Sequence, residues 1–206
     1  VVVPVLALTG CATAGAGDAP APAPRPAVTA AAAPGTTAPA PSSAPAEGAQ
    51  GAQAQETAPP VRIRVGDIAV DAPVVPVGVD AAGQMEVPVD VATIGWYRFG
   101  PGPGAAAGSS VLSGHVDDSV QGRGAFYALT DLGEGDRVEV DLADGGVVAY
   151  EVTRVERVDK AELPVDRLFA RDGAPVLTLV TCGGEFDTAR RSYRLNVVVT
   201  AEPVVA

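Results

Sequence analysis

Two side chains able to attack a carbonyl and to move a proton occur once each between residues 61 and 206, namely Cys182 and His115. A thiolate is a strong nucleophile and an imidazole exchanges protons near neutral pH, so the pair suffices for nucleophilic acyl chemistry if the fold brings them together. They are far apart in the chain, and spacing alone does not show that they meet. Taken singly, a Cys is more often a small core hydrophobe and a lone His structural. Their settings favour chemistry. Cys182 follows the strand-like run Val176-Leu177-Thr178-Leu179-Val180-Thr181 and precedes Gly183-Gly184, which places it at a strand end where backbone can approach a substrate. His115 is placed likewise, after Val111-Leu112-Ser113-Gly114.

The elements that must position them are short and Val-rich. Alternation of period two marks strands over 61–65, 68–70, 74–79, 111–113, 137–142, 147–158, 176–181 and 193–200, each bounded by Gly, Asp or Pro. Ala143-Asp144-Gly145-Gly146 reads as a hairpin turn. Apolar spacing predicts a helix over 125–132, and 164–169 has room for a turn or two. The Gly/Pro-rich stretch 99–108 reads as flexible loop. Many short strands with little helix indicate an all-β sandwich or closed barrel.

That pattern covers only residues 61–206. Residues 11–60 hold 19 Ala and 10 Pro, no aromatic residue, and four charges, at Asp18, Arg25, Glu47 and Glu56. Such a stretch buries too little apolar surface to offset its chain entropy, so 12–60 is expected to be a disordered linker. Its Ala-Pro content favours extended polyproline II and a long reach, though a tail with no reach function fits as well. Residues 1–11 read as the remnant of an export signal, an apolar run ending in small residues. The only Met is Met85, so the natural start is expected upstream. Leu8-Thr9-Gly10-Cys11 resembles a bacterial lipobox, which makes Cys11 a candidate lipidation site; a truncated transmembrane anchor with an incidental Cys is the other reading. Both put the domain outside the membrane, attached only by its amino terminus. The net charge of −11 argues against partners held by basic patches, nucleic acid above all. No His/Cys cluster suggests zinc, the carboxylates are too dispersed to name a calcium site, and no cofactor is expected. A Cys11–Cys182 disulfide would compete with lipidation across a long linker.

Thr178-Leu179-Val180-Thr181-Cys182 matches the TLxTC motif of sortases, Gly114-His115 matches their His segment, and Arg194 follows the Cys by twelve positions at the start of a final strand. The order of all three elements resembles that family over about residues 61–201. Ser113-Gly114-His115-Val116-Asp117, Cys182-Gly183-Gly184-Glu185-Phe186-Asp187 and Ser192-Tyr193-Arg194-Leu195-Asn196 look most like its class F members from high-GC Gram-positive bacteria. The resemblance implies a closed eight-stranded β-barrel with one or two short helices. It also implies an activity: Cys182 attacks the Thr-Gly bond of an LPxTG-like sorting signal, and an amine resolves the thioacyl intermediate. The partners implied are surface proteins bearing that signal and an acceptor such as a peptidoglycan precursor or a pilin lysine.

In this scheme His115 is the general acid and base. Arg194, which stays protonated, donates hydrogen bonds to substrate carbonyls and the developing oxyanion, while Arg190 and Arg191 are near neighbours of lesser promise. Thr181 could contribute to the oxyanion site. Asp117 or Asp118 could orient His115 through a hydrogen bond, or be solvated loop carboxylates. An L,D-transpeptidase would carry a second His just before its Cys, and the domain has one His in all. The rival from another class is an extracellular lipoprotein binding module of sortase fold without turnover.

Overall fold

The computed structural model describes residues 57–189 and 191–204. The expectations for the export-signal remnant, Cys11, the linker up to residue 56, and Arg190 lie outside the described residues.

Eight strands close into a barrel. In chain order they are β1 (Pro60–Val65), β2 (Val70–Val77), β3 (Ile94–Tyr97), β4 (Ser109–Ser113), β7 (Arg137–Leu142), β8 (Val147–Asp159), β9 (Val176–Asp187) and β10 (Ser192–Pro203). Between β4 and β7 lies a small hairpin of β5 (Asp117–Asp118) and β6 (Gly122–Arg123). Around the barrel the order is β1-β2-β3-β4-β9-β10-β8-β7, with β7 pairing back to β1. Two of the neighbouring pairs are parallel, β2 with β3 and β4 with β9.

Period-two alternation explains the inside. Ile63 and Val65, Val70, Ala72 and Val74, Val138 and Val140, Tyr150 and Val152, Leu177 and Leu179, and Val197, Val199 and Ala201 all turn inward to one core. Burying each Val, Leu or Ile among them contributes about 1.5–3 kcal/mol. The expected hairpin at Ala143-Asp144-Gly145-Gly146 joins β7 to β8, closed by Leu142 N–H to Gly146 O at 2.8 Å.

Four details depart from the sequence reading. Residues 125–132 do not form an α-helix. Their backbone bonds run i to i−3, Tyr127 to Gly124, Leu129 to Phe126 and Leu132 to Leu129, with a 3₁₀ turn at Leu129–Asp131. In that geometry residues three apart eclipse, so Phe126, Leu129 and Leu132 form one buried stripe in the core. Val70 and Val74–Val77, from the runs at 68–70 and 74–79, belong to one strand, β2, whereas Ile68 lies in the turn Gly66–Ile68 that leads into it. The stretch 99–108 is irregular but tethered, by Gly104 N–H to the buried Tyr150 hydroxyl at 2.8 Å and by Trp96 Nε1 to Pro101 O at 3.3 Å. Strand β3 was not foreseen: Gly95 interrupts its pattern because a side chain there would collide with Val77 and Pro88. At 164–169 the expected short helix is one turn, α1 (Val165–Leu168), whose Leu168 is buried.

Candidate active site

Cys182 sits within β9 rather than at its end, because the strand continues through Gly183-Gly184 to Asp187. The parallel pairing of β4 with β9, in which Leu112 lies beside Leu179 and Ser113 beside Val180, sets the segment that leads to His115 beside the one that leads to Cys182. The next bonds extend that ladder: Gly114 N–H donates to Val180 O at 3.1 Å, and the Thr181 hydroxyl donates to Gly114 O at 2.8 Å. Counting two residues past Ser113 and two past Val180 reaches His115 and Cys182. Both residues therefore follow the same end of this ladder, two positions beyond its last pair.

Leu112, Leu177 and Leu179 point into the core, so alternation sends Ser113, Val180 and Cys182 to the outside of the barrel, and His115 follows two residues after Ser113. On β10, Asn196 is the register partner of Cys182, and Val197 and Val199 are core, which puts Arg194, Asn196 and Val198 on that same outer face. Arg194 is thus about 7 Å along the strand from the partner of Cys182. Its side chain is 58% exposed, and its ion-pair contact among the described residues is a loose one, Nε to Asp187 Oδ2 at 4.0 Å. Cys182 is half-buried and carries a free thiol.

The register between β9 and β10 shifts just past the Cys, from Leu195 opposite Gly183 to Tyr193 opposite Phe186. Gly184 makes this irregularity feasible, with φ of 75° and the Leu195 side chain where its own Cβ would be. The extra residue is on β9, where Gly184 and Glu185 together stand opposite Arg194.

His115 is held by backbone. Its Nε2 is 2.8 Å from Pro88 O, in the connection between β2 and β3. Its own carbonyl accepts from Phe126 N–H at 3.1 Å. Gly124 packs so closely beneath it that an added Cβ would stand 2.2 Å from His115 O. Asp117 is engaged by Tyr193, whose hydroxyl donates to Oδ2 at 2.6 Å, tying the start of β10 to the segment after His115. That bond to a carboxylate, followed by burial, pushes the Tyr193 phenol up to about 12, with a smaller push from Cys182. Tyr193 also packs edge-on to Phe186. Asp118 accepts from Val120 N–H at 2.8 Å and Gln121 N–H at 2.9 Å. These bonds, Gln121 first, hold its carboxyl below the usual range, with a lesser contribution from His115.

Of the residues expected at the site, Thr181 bonds to the carbonyl before His115, Asp117 and Asp118 form β5 after it, and Arg194 lies on β10 two residues from the register partner of Cys182. Thr181 is 4% exposed, with its hydroxyl committed to Gly114. Arg191 is in the turn before β10, at a φ of 51°. Missed were Pro88, Gly124, Gln121 and Tyr193. Only Tyr193 had a visible signal, standing beside Arg194 in the quoted motif.

The chain therefore carries a thiol and a guanidinium on the paired strands β9 and β10 of a closed β-barrel, and an imidazole just past the end of β4, the other neighbour of β9. A sortase domain model matches residues 63–204. No curated protein matches the chain. Among solved structures it is similar to sortase C-1 from Actinomyces oris, at 24% identity and a TM-score of 0.53, covering 71% of this chain and 74% of that one. It is also similar to sortase C1 from Streptococcus suis, at 18% and 0.54, covering 72% and 74%. Sortase C from Clostridium perfringens gives 18% and 0.51, covering 73% and 72%. The structural likenesses speak to the fold, and the domain match, spanning most of the sequence, shows that the chain belongs to the sortase family.

Proposed function

We propose that this chain is a cysteine transpeptidase, of the class F kind that its motifs resemble, which cleaves an LPxTG-like sorting signal between Thr and Gly and joins the acyl part to an amine. Cys182 Sγ attacks the Thr carbonyl, Arg194 donates hydrogen bonds to the oxygen as charge develops there, and His115 protonates the departing amine. The incoming amine then gives its proton to His115 as it displaces the thiolate. The acceptor is a peptidoglycan amine or a pilin lysine, and the substrates are surface proteins carrying the signal. The domain works outside the membrane, anchored by its amino terminus through lipid on Cys11 or a transmembrane segment.

The observation that carries this reading is the parallel register of β4 and β9, with Ser113 beside Val180 two residues short of His115 and Cys182. A ladder that fixes the two segments leading to these residues sets their relative place before substrate arrives.

Mass spectrometry of the protein incubated with an LPxTG peptide and either oligoglycine or a diaminopimelate amine tests it. Expected are cleavage between Thr and Gly and transfer to the amine, with both lost in Cys182→Ala and in Arg194→Ala. Absence of any adduct or cleavage across a panel of related pentapeptides would favour a binding module without turnover.

A further inference from the structure

The contact between His115 Nε2 and Pro88 O, 2.8 Å long, has a chemical direction. A carbonyl oxygen only accepts, so the ring nitrogen facing it must carry the hydrogen. In the neutral imidazole the other nitrogen, Nδ1, is then bare.

Pro88 belongs to the connection 78–93, and its carbonyl is aimed by contacts on either side. Glu86 Oε2 accepts from Gly78 N–H at 2.8 Å, and the Pro88 ring lies over Gly95 in β3. On the other side the Gln121 amide makes two bonds. Its Nε2 donates to Val89 O at 3.0 Å and its Oε1 accepts from Val91 N–H at 3.3 Å, so it clasps the chain across Asp90. Gln121 is itself seated by its backbone N–H on Asp118 Oδ1 at 2.9 Å, in the turn between β5 and β6 that follows His115. A continuous run of hydrogen bonds thus leads from the Asp118 turn through Gln121 to the segment whose carbonyl meets the imidazole.

We propose that Gln121 is a positioning residue: its clasp on Val89 and Val91 holds the Pro88 carbonyl on His115, fixing the Nε2–H tautomer and leaving Nδ1 as the nitrogen that exchanges protons. The second part rests on the transpeptidase reading; the first does not. In that reaction the proton on Nδ1 of the imidazolium passes to the amine nitrogen as the Thr-Gly C–N bond breaks, leaving the thioester and a bare Nδ1. In the return step the incoming amine loses a proton to Nδ1 as the new C–N bond forms, the C–S bond breaks, and the thiolate is restored. Nε2 keeps its hydrogen throughout, and the Pro88 carbonyl stabilises the imidazolium as an oriented acceptor.

The sequence contains one His, so nitrogen-15 NMR of the ring in the full chain, made without a polyhistidine tag, reports on His115 alone. At a pH where the ring is neutral, the wild type is expected to show a protonated Nε2 and a bare Nδ1. Gln121→Ala, a change at an exposed turn, is expected to give a mixture of the two tautomers, with kcat falling about tenfold and KM little changed. Gln121→Glu, which can accept from Val91 but cannot donate to Val89, should fall between. A protonated Nδ1 in the wild type, an even mixture there, or a Gln121→Ala spectrum identical to wild type would overturn the proposal. If the tautomer responds as expected but wild type transfers no peptide, the positioning stands and the transpeptidase reading fails.

Discussion

Thr181→Val isolates a single atom at the centre of the site. Valine has the shape of threonine, so the change opens no cavity; it removes the hydroxyl that donates to Gly114 O at 2.8 Å in a position 4% exposed. The cost is that of a buried carbonyl losing its partner, about 1–3 kcal/mol. For a domain of this size each kcal/mol lowers Tm by about 2–4 °C, so a central 2 kcal/mol corresponds to a fall of roughly 4–8 °C. The same bond fixes the peptide immediately before His115, and misplacement of a catalytic group by a fraction of an ångström is costly. Turnover per folded molecule should therefore fall about tenfold, beyond what the lost stability explains. Thr181→Ser separates the two effects. It loses a buried methyl, worth about 0.8 kcal/mol, but keeps the donor, so its Tm drops while its turnover stays near wild type. Calorimetry and peptide transfer followed by mass spectrometry measure both. Equal loss of turnover in the Ser and Val variants, or an unchanged Thr181→Val, would refute the argument.

Tyr193→Phe removes the bond to Asp117 and should cost about 1–2 kcal/mol near neutral pH. The phenol is raised to about 12, above its unfolded value of about 10, so the bond's contribution is fully present below pH 10 and disappears by about 12. Denaturant melts of wild type and Tyr193→Phe should converge across that window. Asp118 behaves in the opposite sense: its carboxyl is lowered by the bonds from Gln121 and Val120, so its contribution is present above the unfolded value of about 3.9 and lost as pH falls through the folded one. Asp118→Asn should flatten the acid limb of a stability profile. Gly124→Ala would set a Cβ 2.2 Å from His115 O, against backbone that has no rotamer to yield. It should cost about 1–3 kcal/mol and displace the imidazole, seen as lost transfer with Cys182 still open to alkylation.

Most of the barrel was legible because half-buried strands repeat with period two, and Val, Ile and Leu at alternate positions mark the inner face directly. The exceptions share a cause. β3 is only four residues with a Gly at its second position, and that Gly reflects the close approach of Val77 and Pro88, contacts from distant sequence. The stripe Phe126, Leu129, Leu132 has a three-residue period that a 3₁₀ turn and an α-helix can both satisfy in so short a run. At the site, residue types were visible but their meeting was not. The segments that lead to Cys182 and His115 are joined by a parallel pair, whose partners no turn connects, and the Tyr193–Asp117 bond spans strands far apart in the chain. The Pro88 carbonyl had no sequence signal at all, since every residue has a carbonyl.

The motif that carried the family resemblance can be read as a device for setting register. A slip of β9 by one residue against β4 would turn Cys182 towards the core. Leu179 fills the core beside Leu112, while the Thr on either side bonds across to β4: Thr178 Oγ1 to Ser109 Oγ at 2.8 Å, and Thr181 Oγ1 to Gly114 O at 2.8 Å. Two hydroxyls three residues apart therefore pin both ends of the segment that delivers Cys182. They should not be equivalent in function. Thr178 lies at the far end, so Thr178→Val leaves the buried Ser109 hydroxyl unpaired, costing about 1–3 kcal/mol, without touching the peptide before His115. Its Tm should fall as far as that of Thr181→Val while turnover per folded molecule remains near wild type. Adding Ser109→Ala should restore much of the lost stability, because the stranded hydroxyl goes with it. A turnover loss in Thr178→Val matching that in Thr181→Val would mean that global loosening of β9, rather than the placement of His115, governs the chemistry.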